Sequence, residues 1–240
     1  MSRVALIGEN SAEFVDKLLD IWNNGDCAVL LDWRIPLQTT IQMMREAEVT
    51  DCFIEKKLLD KSAVDDISDI SFIAYDVADI SPKLLSDEVR KKYRENYSRN
   101  EAVVIYSSGT TGKSKGIILS HFAITTNADA IIDYMQPSAN DCLYTIRPLS
   151  YSSTLTGELL VALRSGCKYL LAPTIVPPRY IFGNISKFSV TILCLNPTML
   201  SILTDEYSRG KSSVVPLKTM YVSGSVLNDD TYSKAHIKIS

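Results

Sequence analysis

No apolar run in this 240-residue sequence reaches the ~18 residues that a membrane-crossing helix needs, so no membrane span is expected. The opening Met1–Gly8 stretch is too short for a secretory signal and runs straight into Glu9 and Asn10. There is no C-x-x-C pair. The five cysteines (Cys27, Cys52, Cys142, Cys167, Cys194) are odd in number and widely spaced. Most of them sit inside apolar, strand-like runs, which reads as buried free thiols of a cytoplasmic protein rather than disulfides or metal ligands. No excess of positive charge is present either: Lys plus Arg is 25 against Asp plus Glu at 28, a net charge of −3. The basic footprint of a nucleic-acid binder is missing, and no nucleic-acid partner is expected. Internal repeats and low-complexity segments are also lacking. What remains is 46% hydrophobic and 22% charged, near the globular average and sufficient for a sizeable core.

Short β-branched runs alternate with longer amphipathic stretches along nearly the whole chain, the pattern of βα units around a parallel sheet. Strands are expected at 4–7, 28–31 and 51–54. Between them lie a helix to Asn23 presenting Phe14, Leu18, Leu19 and Trp22, with Gly25 as its stop, and a second helix opened by Pro36 that carries Ile41, Met44 and Val49. Residues 55–100 have no clear period. The charges between Ser86 and Arg99 form either an anion-binding patch or a solvated face or linker. The second is favoured because Asp87, Glu88 and Glu95 interleave them. Regularity returns with strands at 102–106 and 116–119 and a helix from His121 to about Met135, capped by Ser120. Strand and helix pairs then follow at 142–146 with 154–164, 167–171 with 178–188, 191–195 with 198–207, and 219–222 with 229–235. Ile237–Ile239 reads as a strand just begun, which makes the chain look cut.

One window concentrates phosphate-binding chemistry. Residues 107–116 read Ser-Ser-Gly-Thr-Thr-Gly-Lys-Ser-Lys-Gly, all glycine, hydroxyl or lysine, between two apolar runs. Glycines let successive backbone N–H groups converge on an anion, and the hydroxyls and Lys113 and Lys115 add donors and charge. The P-loop pattern fails here. Its first glycine would fall on Ser107, and a β-like run rather than a helix follows the lysine.

The segment Val104–Gly116 closely resembles the signature loop of the adenylate-forming enzymes, a superfamily of acyl-CoA synthetases, luciferases and peptide-synthetase adenylation domains. The departure is Ser114 where proline is common. Weaker similarities extend over most of the chain. They include Arg3–Ser11, Asp20–Pro36, Ser120-His121, Arg147–Tyr151, Asn196-Pro197-Thr198 and Ser223-Gly224-Ser225-Val226-Leu227. The resemblance implies an α/β fold of two lobes of mostly parallel sheet with flanking helices, five-layered when complete. The lobes are expected over residues 1–98 and 99–240.

The resemblance also implies a ligase that joins a carboxylic acid to ATP as acyl-AMP, releases pyrophosphate and passes the acyl group to a thiol, on CoA or a carrier protein. Ser107, Ser108, Gly109, Thr110, Thr111 and Gly112 would wrap the phosphates, with Thr110 and Lys115 serving the chemistry. Ser223, Gly224 and Ser225 would lie under the adenine. Tyr151 and Ser152 would border the acid, with Tyr151 as a gate or simply a packed strand-end tyrosine. The family's downstream magnesium, ribose and lysine segments are not among these 240 residues. Mg2+ is therefore expected to be held outside this chain, and the chain alone is expected to be inactive. The Leu149–Ser153 segment carries no carboxylate to pair an ammonium, which favours an acyl or aryl acid over an amino acid. A fragment of an amino-acid adenylation domain, or a non-catalytic nucleotide- or acyl-binding half-protein, are the other readings. His121, Asn196 and Thr198 read as capping or packing residues rather than catalysts.

Overall fold

A computed structural model describes residues 1–60, 64–79, 81–107, 114–174, 176–209 and 217–239, with side chains through Ala235. The first strands, β1 (Arg3–Ile7), β2 (Cys27–Leu31) and β3 (Asp51–Glu55), are joined by helices α1 (Ala12–Asn23) and α2 (Leu37–Glu46). β2 is buried along its whole length, as expected for a parallel strand covered on both faces. Ser11 starts α1 by accepting a hydrogen bond from the Phe14 N–H at 3.0 Å, and Gly25 ends its turn at φ +79°. The expected face of α1 packs inward: Phe14, Leu18 and Leu19 are buried, and Trp22 Nε1 donates to the Ala102 carbonyl. Helix α2 ends three residues before Val49. That residue is buried beyond a turn in which Glu48 takes φ +56°, so it packs from a loop and not from the helix.

The six-stranded first sheet has the order β4-β3-β1-β2-β6-β7, with β4 (Ser71–Tyr75), β6 (Glu101–Ser107) and β7 (Lys115–Ser120). All its neighbours are parallel except β6 and β7, an antiparallel hairpin. The five-stranded second sheet has the order β11-β10-β8-β9-β5. Its members are β5 (Lys83–Leu84), β8 (Cys142–Thr145), β9 (Lys168–Leu171), β10 (Ile192–Leu195) and β11 (Thr219–Val222), parallel except for β5. β4 and β5 lie where the sequence has no legible period. The expected boundary near residue 98 falls among strands of shared sheets: β6 and β7 complete the first sheet, while β5 reaches into the second.

Five layers result. Helix α2 covers the outer face of the first sheet. A central core holds α1, α4 (His121–Met135) and α6 (Leu160–Ser165) between the two sheets. Helices α7 (Pro178–Phe188) and α8 (Pro197–Ser208) cover the far face of the second sheet. Residues 237–239 continue the last helix, α9 (Asp229–Ile239), and form no strand. The β-branched isoleucines there are a weaker signal than helical continuity from the acidic first turn at Asp229 and Asp230.

The charged 86–99 stretch is a one-turn helix, α3 (Asp87–Arg90), followed by a strap. Arg90 donates to the Ala162 and Cys167 carbonyls, Lys92 pairs with Asp16 and Asp20, and Arg99 lies over the Phe122 ring. These cations are committed to protein partners and form no anion site. All five cysteines are free and buried, and burial pushes the Cys142 thiol up to about 11. Among the described residues, no helix is long and apolar enough to cross a membrane.

Candidate functional site

The parallel strands of both sheets end at one crevice between them, the place where open α/β sheets bind ligands. The β6–β7 hairpin leans over it. Ser107 and Lys115 are paired directly across the hairpin, so a strand, not a helix, follows the loop, as the failure of the P-loop pattern implied. Ser108, Gly109, Thr110, Thr111 and Gly112 lie outside the described residues. Ser107 and Ser114 border a cleft of about 790 Å³ that Asp32, Tyr151, Ser152 and Gly224 also line. Lys115 is exposed at the hairpin rim and borders a separate groove with Arg3 and Glu46.

Two further cavities open off the cleft. One, of about 530 Å³, is walled by Leu119, Ile124 and Ile131 on one side and by Thr156, Gly157 and Tyr221 on the other, with no charged lining residue. The other, of about 380 Å³, is polar: Arg34, Arg147, Asn196, Thr198, Ser223 and Ser225 surround it. Ser153 and Gly224 line all three spaces. Gly224 adopts φ +102°, a conformation that other residues rarely take. The sequence-derived Ser107, Tyr151, Ser152, Ser223, Gly224 and Ser225 thus converge on one connected space, and the groove that Lys115 borders adjoins it through Tyr106 and Ser114.

The turn that carries Tyr151 is held from three sides. The buried Asn10 side chain donates to the Arg147 carbonyl at 2.8 Å and accepts the Leu149 N–H at 2.9 Å, tying the end of β1 to the end of β8. Arg34 donates to the Tyr151 hydroxyl and stacks on its ring at 5.7 Å, while Asp32 pairs with Arg34. Beneath the turn, Arg147 Nε donates to Glu158 at 3.0 Å, an ion pair with side-chain exposures of 6% and 0%. Burial pushes the Glu158 carboxyl up to about 7, against the pull of Arg147. Among the described residues neither its Oε2 nor the buried Tyr169 hydroxyl makes a hydrogen bond of normal geometry, and the Thr145 side chain is the neutral polar group facing both. Helix α5 (Ser152–Thr154) runs into a π-helical turn, Leu155–Leu159, whose extra residue turns Glu158 into the core.

Sequence reasoning missed Asn10, Arg34 and Glu158 as site-shaping groups. Each acts on a turn more than a hundred residues away or across a helical irregularity, so no local spacing announces it. A polar residue at the C-terminal end of an apolar strand was the one available signal, at Asn10. The expected caps are present: Ser120 accepts from the Ala123 N–H and Asn196 from the Met199 N–H. His121 is buried edge-to-face against Trp22 at 5.7 Å, and burial lowers its pKa. Among the described residues no group of three or more His, Cys, Asp or Glu side chains could hold a metal ion.

A family model described as AMP-binding enzyme matches residues 1–239. Indoleacetate–CoA ligase of Aromatoleum aromaticum is 26% identical over 94% of this chain and 46% of its own length. Tyrocidine synthase 1 of Brevibacillus parabrevis is 25% identical over 93% of this chain and 20% of its own length. ATP-bound MatB from Rhodopseudomonas palustris superposes with a TM-score of 0.81 at 20% identity, over 99% of this chain and 47% of that one. The chain therefore spans less than half the length of these relatives.

Proposed function

The chain belongs to the AMP-binding enzyme family, and from that premise we propose that it is the N-terminal part of an ATP-dependent carboxylic acid ligase. The whole protein would activate an acyl or aryl acid as acyl-AMP, release pyrophosphate and transfer the acyl group to a thiol, on CoA or a carrier protein. The observation that carries the reading is the meeting of the hairpin flanks Ser107 and Ser114 with Tyr151, Ser152 and Gly224 around one cleft.

In this reading the glycine- and hydroxyl-rich loop cradles the triphosphate. The polar cavity at Ser223, Gly224 and Ser225 takes the nucleoside, and the apolar 530 Å³ pocket takes the acid. ATP supplies the adenylyl group and the leaving pyrophosphate. The chain's own task is to position groups and meet developing charge with preset donors, which is where most of the acceleration in such transfers arises. An amino acid fits the apolar pocket poorly. No carboxylate lines it, and Glu158, the nearest along the chain, is turned away onto Arg147. A buried ammonium there would have no counter-charge.

The test has two arms. The whole gene product is expected to exchange pyrophosphate into ATP when supplied with a neutral aryl or acyl acid, and not with α-amino acids. Exchange with none of a broad acid panel would favour a binding half-protein. In a calorimetric titration of this chain with ATP, Lys115→Ala is expected to weaken binding about tenfold, the loss of roughly one charge-assisted contact. Unchanged affinity would remove Lys115 from the phosphate site.

A further inference from the structure

The Arg147–Glu158 pair lies beneath the site: Arg147 also borders the polar cavity, whereas Glu158 borders none of the three spaces. Burying both charges costs desolvation that their attraction does not reliably recover, and a well-packed apolar pair is often as stable or more so. Stability is thus a weak reason for it, and geometry offers a stronger one. Arg147 begins the turn whose Pro148 and Tyr151 line the polar cavity. Glu158 directly follows Thr156 and Gly157, which line the apolar pocket. One ion pair therefore joins the wall of the nucleotide-side cavity to the wall of the acid pocket. The intervening Ser150–Ser153 segment faces the cleft between them. Asn10 holds the same turn by its backbone at residues 147 and 149, which leaves the Arg147 side chain to set its tilt. The π-helical turn is required for the contact, because a regular helix would place the residue at 158 about 100° elsewhere on its surface.

We propose that Arg147 and Glu158 form a positioning pair that sets the 147–153 turn, and with it Tyr151 and Ser152, at the junction of the acid and nucleotide cavities. Their importance to the reaction rests on the ligase reading; their control of the turn does not.

The experiment separates the two. Every native cysteine is buried, so a Ser153→Cys substitution places a thiol at an exposed position on the turn. Its rate of alkylation by a maleimide reports the state of the turn. The apolar double replacement Arg147→Met with Glu158→Leu is expected to keep the thermal midpoint while alkylation at residue 153 changes about tenfold, the signature of altered local opening in a folded protein. With Ser153 restored, Glu158→Gln, whose side chain borders none of the three spaces, is expected to weaken ATP binding about tenfold. Alkylation within about twofold of the parent, at an unchanged midpoint, would overturn the proposal. Should the double variant fail to fold, Glu158→Gln, which keeps the shape and removes the charge, is read by the same two outcomes. If the parent itself binds no ATP, the ligase reading falls, and the alkylation rates still decide the role of the pair.

Discussion

Arg147→Met made alone is expected to destabilise the chain by about 3–5 kcal/mol, because it strands a fully buried carboxyl without its counter-charge. Urea unfolding measures this directly, and a loss below about 1 kcal/mol would mean that water or a rearranged neighbour reaches Glu158. The single variant should be far worse than the apolar double, since the damage comes from the orphaned charge and not from lost packing. A pH dependence accompanies it. Glu158 faces Arg147, Thr145, Tyr169 and Cys194, and burial raises its carboxyl to about 7.

In the window between the ordinary glutamate value and about 7, the folded chain holds a proton that the unfolded chain has released. This contribution to stability is full below the ordinary value and is lost as pH rises through about 7. Glu158→Gln should flatten that part of the profile. Asp141 acts on the opposite side. Burial opposes its charge, but hydrogen bonds from Lys218, Ser138 and Thr191 hold the carboxyl well below the usual range. Its contribution is present at neutral pH and is lost on acidification, outside the Glu158 window. A midpoint that rose between about pH 5 and 8 in the parent, and equally in Glu158→Gln, would contradict the assignment.

Gly8→Ala is the second large effect. A Cβ at this position would run into the Tyr75 hydroxyl, with the ring carbon Cζ at 3.1 Å and Phe14 Cδ2 at 3.4 Å. Tyr75 has no room to retreat: it is 7% exposed and donates to the Ile7 carbonyl at 3.2 Å. The variant must displace the ring and abandon that bond. Overpacking costs about 1–3 kcal/mol and the orphaned polar group about 1–3 kcal/mol more, so a loss of about 2–6 kcal/mol is expected in urea. Tyr75→Phe removes the colliding oxygen and should recover most of the loss in the double variant. Additive losses would show that the collision is relieved elsewhere.

Most of the strands and helices, the hairpin around the phosphate-binding window and the caps at Ser120 and Asn196 were legible because each depends on residues within a few positions of one another. β4 and β5 were not. Ile73 is exposed and β5 is two residues long, so neither presents the buried periodicity that marks a strand. Ile237–Ile239 misled in the other direction, since two isoleucines around a lysine are too few to override a helix already under way. At the site, the loop was visible as composition, and the turns at Tyr151 and Gly224 only through the resemblance to the adenylate-forming enzymes. Their mutual arrangement was not, because it depends on Asn10, Arg34 and Arg147, whose partners are distant in sequence or lie across the π-helical turn. Lys115 lines a groove that adjoins the cleft through Tyr106 and Ser114, a placement that pattern alone does not give.

The interleaving of the two sheets has a consequence for how the chain acquires its structure during synthesis. The first sheet is closed once residue 120 has left the ribosome, all its strands being by then available. Lys83 and Leu84 emerge before that point, yet the strand they pair with spans residues 168–171. The segment from 83 to 100 must therefore wait, undocked at its front end, until the chain has been translated past Leu171. Its salt links to α1 and its bonds to the Ala162 and Cys167 carbonyls close at opposite ends of that interval. A nascent chain arrested just long enough for Ser120 to clear the exit tunnel should accordingly resist protease across the first sheet and be cut within this strap.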